Sequence, residues 1–460
     1  MTAYGAGRLL WAPRAWVGGR WRERVVLRVG ADGHWAEISP DQAAPDAAEH
    51  IAGDGLPGLV NAHSHAFQRA FVGLAERRDS ADDDFWSWRD RMYGVALRIT
   101  PDQLRAVAAQ LYAELLAGGY TQVCEFHYLQ HAADGSHYAD PAEMSQALAD
   151  AAADAGIGLT LLPVLYERAG FTQPALRSDQ RRFAAGVDAV LALQAAIRRP
   201  LVNSGVAVHS LRAATPASLR ALAERSCGPL HIHVAEQAAE VDDCVAATGL
   251  RPIEWLTRYA TLDPRWQLVH ATHSTRPEIE AVAASGAGVV LCPATEANLG
   301  DGHADLPGWL GAGVPLALGS DSQVVRSWPE EVRWLEYGQR LALRRRNVAA
   351  APGTQPASAA RLFEALRAGG GAAAGQAAWG LTRGARADLL VLDTRQPGLL
   401  GLPPDHRLDG LVFGAPAQPF SRVMVAGQWC ALHRPELAWR FESAMQALWP
   451  DERALTNGNA

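Results

Sequence analysis

What most constrains this chain is a rhythm. From Leu56 onward, eight short apolar runs recur: GLVNAH, TQVCEF, GLTLLPVL, GVAVHS, LHIHVAE, WQLVHAT, GVVLCPA and VPLALGSD. Helical or connecting sequence follows each, as in PDQLRAVAAQLYAELLAGG, MSQALADAAADAG and TPASLRALAERSC, and the helices often close with a glycine. Strands that alternate with helices pair in parallel, and this many units predict an α/β fold of the (β/α)8 barrel type rather than a doubly wound sheet. The barrel is expected over residues 57–372.

Both ends of the chain have a different texture. Residues 1–56 read as short strands, with RVVLRV and HWAEIS alternating across a hairpin marked by Gly30, Asp32 and Gly33. After about Ala373 the strand texture returns in ADLLVLD, GLVFGA and RVMVAGQWC. The two ends are expected to build one small β-domain beside the barrel, residues 373–460 adding a terminal helix. The tract GGGAAAG at Gly369–Gly375 lacks the Lys-Ser/Thr of a phosphate loop and reads as a helix-rich connector or loop.

Charge and cysteine usage exclude several function classes. With 42 Lys+Arg against 49 Asp+Glu and no long basic run, neither nucleic acid nor an anionic membrane is expected as the main partner. The five cysteines (124, 227, 244, 292 and 430) form no C-x-x-C pair, which fits reduced thiols rather than a disulfide framework or a cysteine metal site. The first residues lack the apolar run of a secretory signal, and no stretch approaches the roughly 18 apolar residues of a membrane span. A cytoplasmic protein is expected.

The chemistry lies where the apolar runs end. His63 and His65 stand two apart at the close of GLVNAHSH, so on a strand they share one side, at the C-terminal end where barrel enzymes keep their sites. An isolated H-x-H is most often two polar loop histidines. Here, however, His233 and Glu236 follow LHIHVAE, His270 follows WQLVHAT and Asp321 follows VPLALGSD. Burying so many imidazoles and carboxylates is unfavourable unless a divalent cation pairs them.

At this point the chain resembles the amidohydrolase superfamily, from PGLVNAHSH through HIHVAE, VHATH and GSDS to ADLLVLD and VMVAGQ. The resemblance implies a barrel flanked by a β-sandwich, with His63, His65, His233 and Asp321 as metal ligands. His231 is the alternative on the fifth strand, but His233 has the H-x-x-E spacing to Glu236. Members with two metals bridge them with a carboxylated lysine; this chain contains no lysine, which points to the branch with one metal. Imidazole and carboxylate ligands suit zinc, with iron and manganese left open. The family pattern assigns Asp321 to take a proton from the attacking water, Glu236 to carry one to the leaving nitrogen, and His270 to orient the water or steady the tetrahedral state. The alternative for Glu236 is a partner that only orients His233.

Within the superfamily, HSHAFQRA, DDFWSWRDRMY, EFHYLQH, VHSLRA and CPATEANLGDG are similar to the deiminases of N-formimino-L-glutamate in histidine degradation. That implies hydrolysis to N-formyl-L-glutamate and ammonia, a dicarboxylate substrate, a homodimer, and substrate contacts at Gln68, Tyr128, His209 and Arg212. Arg212 offers a planar fork that grips a carboxylate in two places, and otherwise reads as a solvated arginine near a helix start. Arg89 is a second carboxylate candidate. Its segment FWSWRDRM is expected to form a lid or a dimer contact, or, at Trp86 and Trp88, plain core packing. The rivals are a deaminase of guanine, another nucleobase or an adenosine derivative, a triazine-type chlorohydrolase, and an inactive barrel scaffold. A purine would call for stacking aromatics where the fourth strand offers His209 and Arg212, and a scaffold would have lost ligands.

Overall fold

The computed structural model describes residues 7–76, 85–415 and 418–450. Eight parallel strands close into a barrel: Leu59–Ser64, Tyr120–His127, Gly158–Leu165, Val206–Val208, Leu230–Val234, Trp266–His270, Gly288–Leu291 and Leu316–Leu318. They are the eight apolar runs, in order, and are called the first to eighth barrel strands below. The ring closes where Leu318 pairs with Asn61. All eight are buried along their whole length, because helices cover the outside and side chains fill the inside.

The helices are stopped and started by local chemistry. Thr100 accepts from the amide of Gln103 while the Gln103 side chain accepts from the amide of Thr100, so helix Pro101–Ala117 begins with two otherwise orphaned donors satisfied. Thr275 and Glu278 form the same box at helix Arg276–Ser285. No helix among the described residues is long and apolar enough to cross a membrane.

The chain ends meet in a second sheet. From edge to edge it runs Gln428–Cys430, Phe420–Val425, Leu389–Leu392, Asp54–Leu56, Leu9–Val17, Arg20–Val29 and Trp35–Ser39, with Glu49–His50 beside Leu9–Val17. Leu389–Leu392 lies antiparallel to Asp54–Leu56, which joins the two ends. This sheet has its own core, including Leu10, Val25, Leu27, Trp35, Leu389 and Met424.

One strand expectation fails. GLVFGA belongs to helix Arg407–Gly414. A short apolar run carries no period of its own, and Leu408, Leu411 and Val412, at helical spacing, are the residues buried. The tract at Gly369–Gly375 provides the last turns of helix Ser358–Ala373, which crosses the N-terminal end of the barrel as a floor. Glycine is required there by contact: a Cβ on Gly369 would collide with the backbone of Leu316, and one on Gly371 would lie 2.7 Å from Cβ of Trp379.

Candidate active site

At the C-terminal end of the barrel, the residues that close the apolar runs converge. The Nε2 atoms of His63 and His233 lie 3.1 Å apart. Oδ1 of Asp321 is 3.4 Å from Nε2 of His63 and 3.4 Å from Nε2 of His65. His270 Nε2 stands 3.9 Å from Asp321 Oδ2 and 3.7 Å from Glu236 Oε1. All are buried or nearly so. Ala235, His270, Ala271, Asp321 and Gln323 have left-handed backbones, clustered where the strands turn outward.

His231 goes elsewhere. Two residues along a strand is a rise of about 6.6 Å, so His231 and His233 share the interior side at different depths. His231 Nε2 lies 2.9 Å from the carbonyl of Ala373 in the floor helix.

The electrostatics of the cluster are those of lone pairs facing a carboxylate. Burial pulls the pKa of His63 down to about 3, against the pull of Asp321. Burial likewise lowers His65 and His233, so these rings are neutral. His65 Nδ1 is 3.0 Å from the carbonyl of Phe126, to which it can only donate. Its Nε2 is therefore a bare lone pair, 3.4 Å from a carboxylate oxygen. Burial raises Asp321, but His63 first, and then His65 and His270, hold it well below the usual carboxylate range. Lone pairs and an anion pointed at one spot repel unless a cation lies between them. The described residues contain three buried groups able to hold a metal ion: His63, His65 and His233; His63, His270 and Asp321; and His270, Cys292 and Glu296. The first two overlap at His63, and together they contain the four ligands expected from the sequence.

Glu236 and His270 form a second layer. Burial pushes the Glu236 carboxyl up to about 7; His270 opposes this, while Asp321 and Glu240 reinforce it. His270 is disfavoured as a cation by burial, yet Glu236, Cys292 and Glu296 raise it well above the usual imidazole value. Its Nδ1 is 3.5 Å from Glu296 Oε1.

The cluster opens into a cavity with about 780 Å³ of empty space, open solvent at its mouth included. Gln68, Tyr128, His209, Arg212 and Arg89 all line it, beside His65, His233, Glu236, His270 and Asp321. Gln68 Oε1 is buried without a hydrogen-bond partner. Arg89 and Arg212 also line a second cavity with Arg177, so they stand where the two spaces meet. From helix Phe85–Ala96, Trp88, Arg89, Met92 and Tyr93 form one wall of the inner cavity; the side chain of Trp86 and the residues Asp82–Asp84 lie outside the described residues.

Sequence reasoning missed other residues on the wall: Tyr166, Gln180, Phe183 and Glu240. Tyr166 follows the third apolar run as Tyr128 follows the second, a signal that was available. Its hydroxyl accepts from Gln180 Nε2 at 3.0 Å, and its ring packs edge-on against His209. Gln180 and Phe183 sit in a connection without strand or motif, where nothing marks them.

Known proteins resemble this chain over most of its length. The amidohydrolase family profile matches residues 56–430. The chain is 47% identical over 426 residues to formimidoylglutamate deiminase of Pseudomonas aeruginosa, covering 91% of this chain and 94% of the relative. It is 28% identical over 377 residues to a 5-methylthioadenosine/S-adenosylhomocysteine deaminase of Natronomonas pharaonis, covering 81% of this chain and 80% of that one. Among solved structures, an amidohydrolase from Brucella melitensis superposes with a TM-score of 0.90 at 40% identity, covering 96% of this chain and 99% of the other.

Proposed function

The chain belongs to the amidohydrolase family, and on that premise we propose that it hydrolyses N-formimino-L-glutamate to N-formyl-L-glutamate and ammonia. The observation that carries this reading is the make-up of the cavity. Neutral imidazoles, Asp321 and Glu236 gather beside one another, and two guanidinium groups, Arg89 and Arg212, stand at the mouth. That distribution suits a molecule with a reactive amidine at one end and carboxylates at the other. The similarity to the Pseudomonas aeruginosa deiminase supports the same substrate.

In this reading His63, His65, His233 and Asp321 hold one divalent ion, zinc by the chemistry of the donors. When bound, such an ion lowers the pKa of a water from 15.7 to about 7 and so supplies a nucleophile at neutral pH. The residues do the rest. Arg212 and Arg89 grip the carboxylates, and Gln68, Tyr128 and His209 hold the formimino group against the inner wall. The water oxygen bonds to the formimino carbon and the C=N bond becomes single. Glu236, with a pKa near neutrality, takes a proton from the water and gives it to the nitrogen. The formimino group enters as an amidinium cation, so its nitrogen, which already carried two hydrogens, now has three; the C–N bond breaks with its electrons on ammonia, and Asp321 receives the remaining hydroxyl proton as the carbonyl forms. His270, 3.7 Å from Glu236, steadies the oxygen where charge develops.

The reading extends to a cytoplasmic enzyme of histidine degradation that works as a homodimer. Trp334, Tyr337 and Leu341, exposed on one face of helix Trp328–Leu343, support an apolar contact of that kind. The test is ammonia release from N-formimino-L-glutamate, guanine and 5-methylthioadenosine, with metal content measured on the same sample. Release from the linear amidine alone is expected. Release from a purine in its place would overturn the assignment.

A further inference from the structure

Behind Glu236 lies a second buried carboxylate with a defined job. Glu240 is 6% exposed and sits in the first turn of helix Ala238–Thr248. Its Oε1 accepts from the amide of Ala235 at 3.2 Å and its Oε2 from the amide of Glu236 at 3.0 Å. Ala235 has φ of +53°, a left-handed backbone that a residue with a Cβ rarely adopts. Consecutive amides beside a left-handed residue make a concavity for an anion, and here the anion is supplied by the chain itself. The Gln237 side chain does not cap this helix, so Glu240 is the side chain that reaches back over its start. The carbonyl of Ala235 accepts from His273 N at 3.0 Å, which ties the same turn to the sequence after the sixth strand and His270.

Resting on the proposed role of Glu236, we infer that Glu240 is a positioning residue: by binding both amides it holds Ala235 in its left-handed turn and thereby aims the Glu236 side chain into the cavity. Charge-assisted bonds to two buried amides are strong and directional. Loss of one leaves a buried donor unsatisfied and lets the turn relax toward an ordinary backbone. Small misplacement of a proton-transfer group lowers turnover steeply while leaving substrate grip intact. A glycine at position 235 would adopt the same backbone without help.

The test compares the metal-loaded wild type with Glu240→Gln, with Glu240→Gln combined with Ala235→Gly, and with Glu236→Gln. Glu240→Gln is expected to lower kcat about 10- to 100-fold, with KM and metal content within about 2-fold. Adding Ala235→Gly should recover at least about 5-fold of that loss, because glycine needs no clamp. Amide hydrogen exchange supplies a reading independent of turnover: the peptide spanning 234–237 should exchange faster in Glu240→Gln, with or without metal. Unchanged kcat in Glu240→Gln, a loss confined to KM or metal content, or no recovery in the double variant would overturn the positioning role. If the wild type releases no ammonia from N-formimino-L-glutamate, the functional reading fails. The exchange result then decides alone whether Glu240 holds the turn.

Discussion

The two ends of this barrel use the same kinds of residue for opposite purposes. At the N-terminal floor, several polar side chains are paired with backbone carbonyls. His231 and Cys124 meet the carbonyl of Ala373, and Thr160 and Asn203 meet that of Ala374. Arg386 is held by Asp388, Gln122 and the carbonyl of Thr121. At the C-terminal end, His63, His65, His233, Asp321, Glu236 and His270 face one another across left-handed turns. The fifth strand carries both cases two residues apart. Residue type therefore does not decide function here; what decides it is whether the side chain finds a partner within the fold or is aimed at something the fold has to bring in.

The strongest way to break the contrast is at Glu236. Glu236→Gln is expected to cut kcat about 10²- to 10⁴-fold with metal retained, and turnover near the wild-type value would remove its role in proton transfer. Arg212→Ala should come next, raising KM about 10- to 100-fold, from the loss of a charge-assisted grip of about 1.5–3 kcal/mol, with little change in the melting temperature. An unchanged KM would reject the carboxylate contact.

A third measurement sharpens the contrast through pH. Glu125 accepts from Ser64 Oγ at 2.8 Å, Ala66 N at 2.6 Å and Tyr112 Oη at 3.1 Å, yet burial outweighs these bonds and pushes its pKa up to about 7 from 4.5. A carboxyl raised on folding favours the folded state when protonated. Its contribution is full below pH 4.5 and is lost as pH rises through 7, with a slope of at most about 1.4 kcal/mol per pH unit. Glu125→Gln should flatten the fall in unfolding free energy across that window, and an unaltered slope would place the pH dependence elsewhere. The smallest effect is expected at the floor. His231→Ala should cost about 1–3 kcal/mol of stability, seen in denaturant unfolding, while kcat of the folded fraction stays within about 2-fold. A large loss of kcat would show that the two ends are not separable.

Much of the working end was legible because barrel topology sorts it in advance. A residue that closes an apolar run must stand at one rim, so His63, His233, His270 and Asp321 could be grouped before any coordinates. What the sequence withheld was depth and connection. Strand parity does not separate His231 from His233, because both have the parity of the inner face; the spacing to Glu236 favoured His233, and only the floor helix shows where His231 goes. Gln180 and Phe183 reach the cavity from a connection whose path is set by tertiary packing. GLVFGA misled because a short apolar stretch has the same composition in a helix and in a strand.

The floor helix has a consequence for how this architecture is inherited. Its last carbonyls and the following Trp379, whose indole N–H donates to Gly58 O at 2.8 Å, are supplied by the chain on its way to the second sheet. A barrel severed after residue 373 would leave Thr160 and Asn203 without the acceptor they share. The catalytic scaffold is therefore not a detachable module. Gene rearrangements that exchange the flanking sheet are tolerable only if they carry residues 374–379 with the barrel.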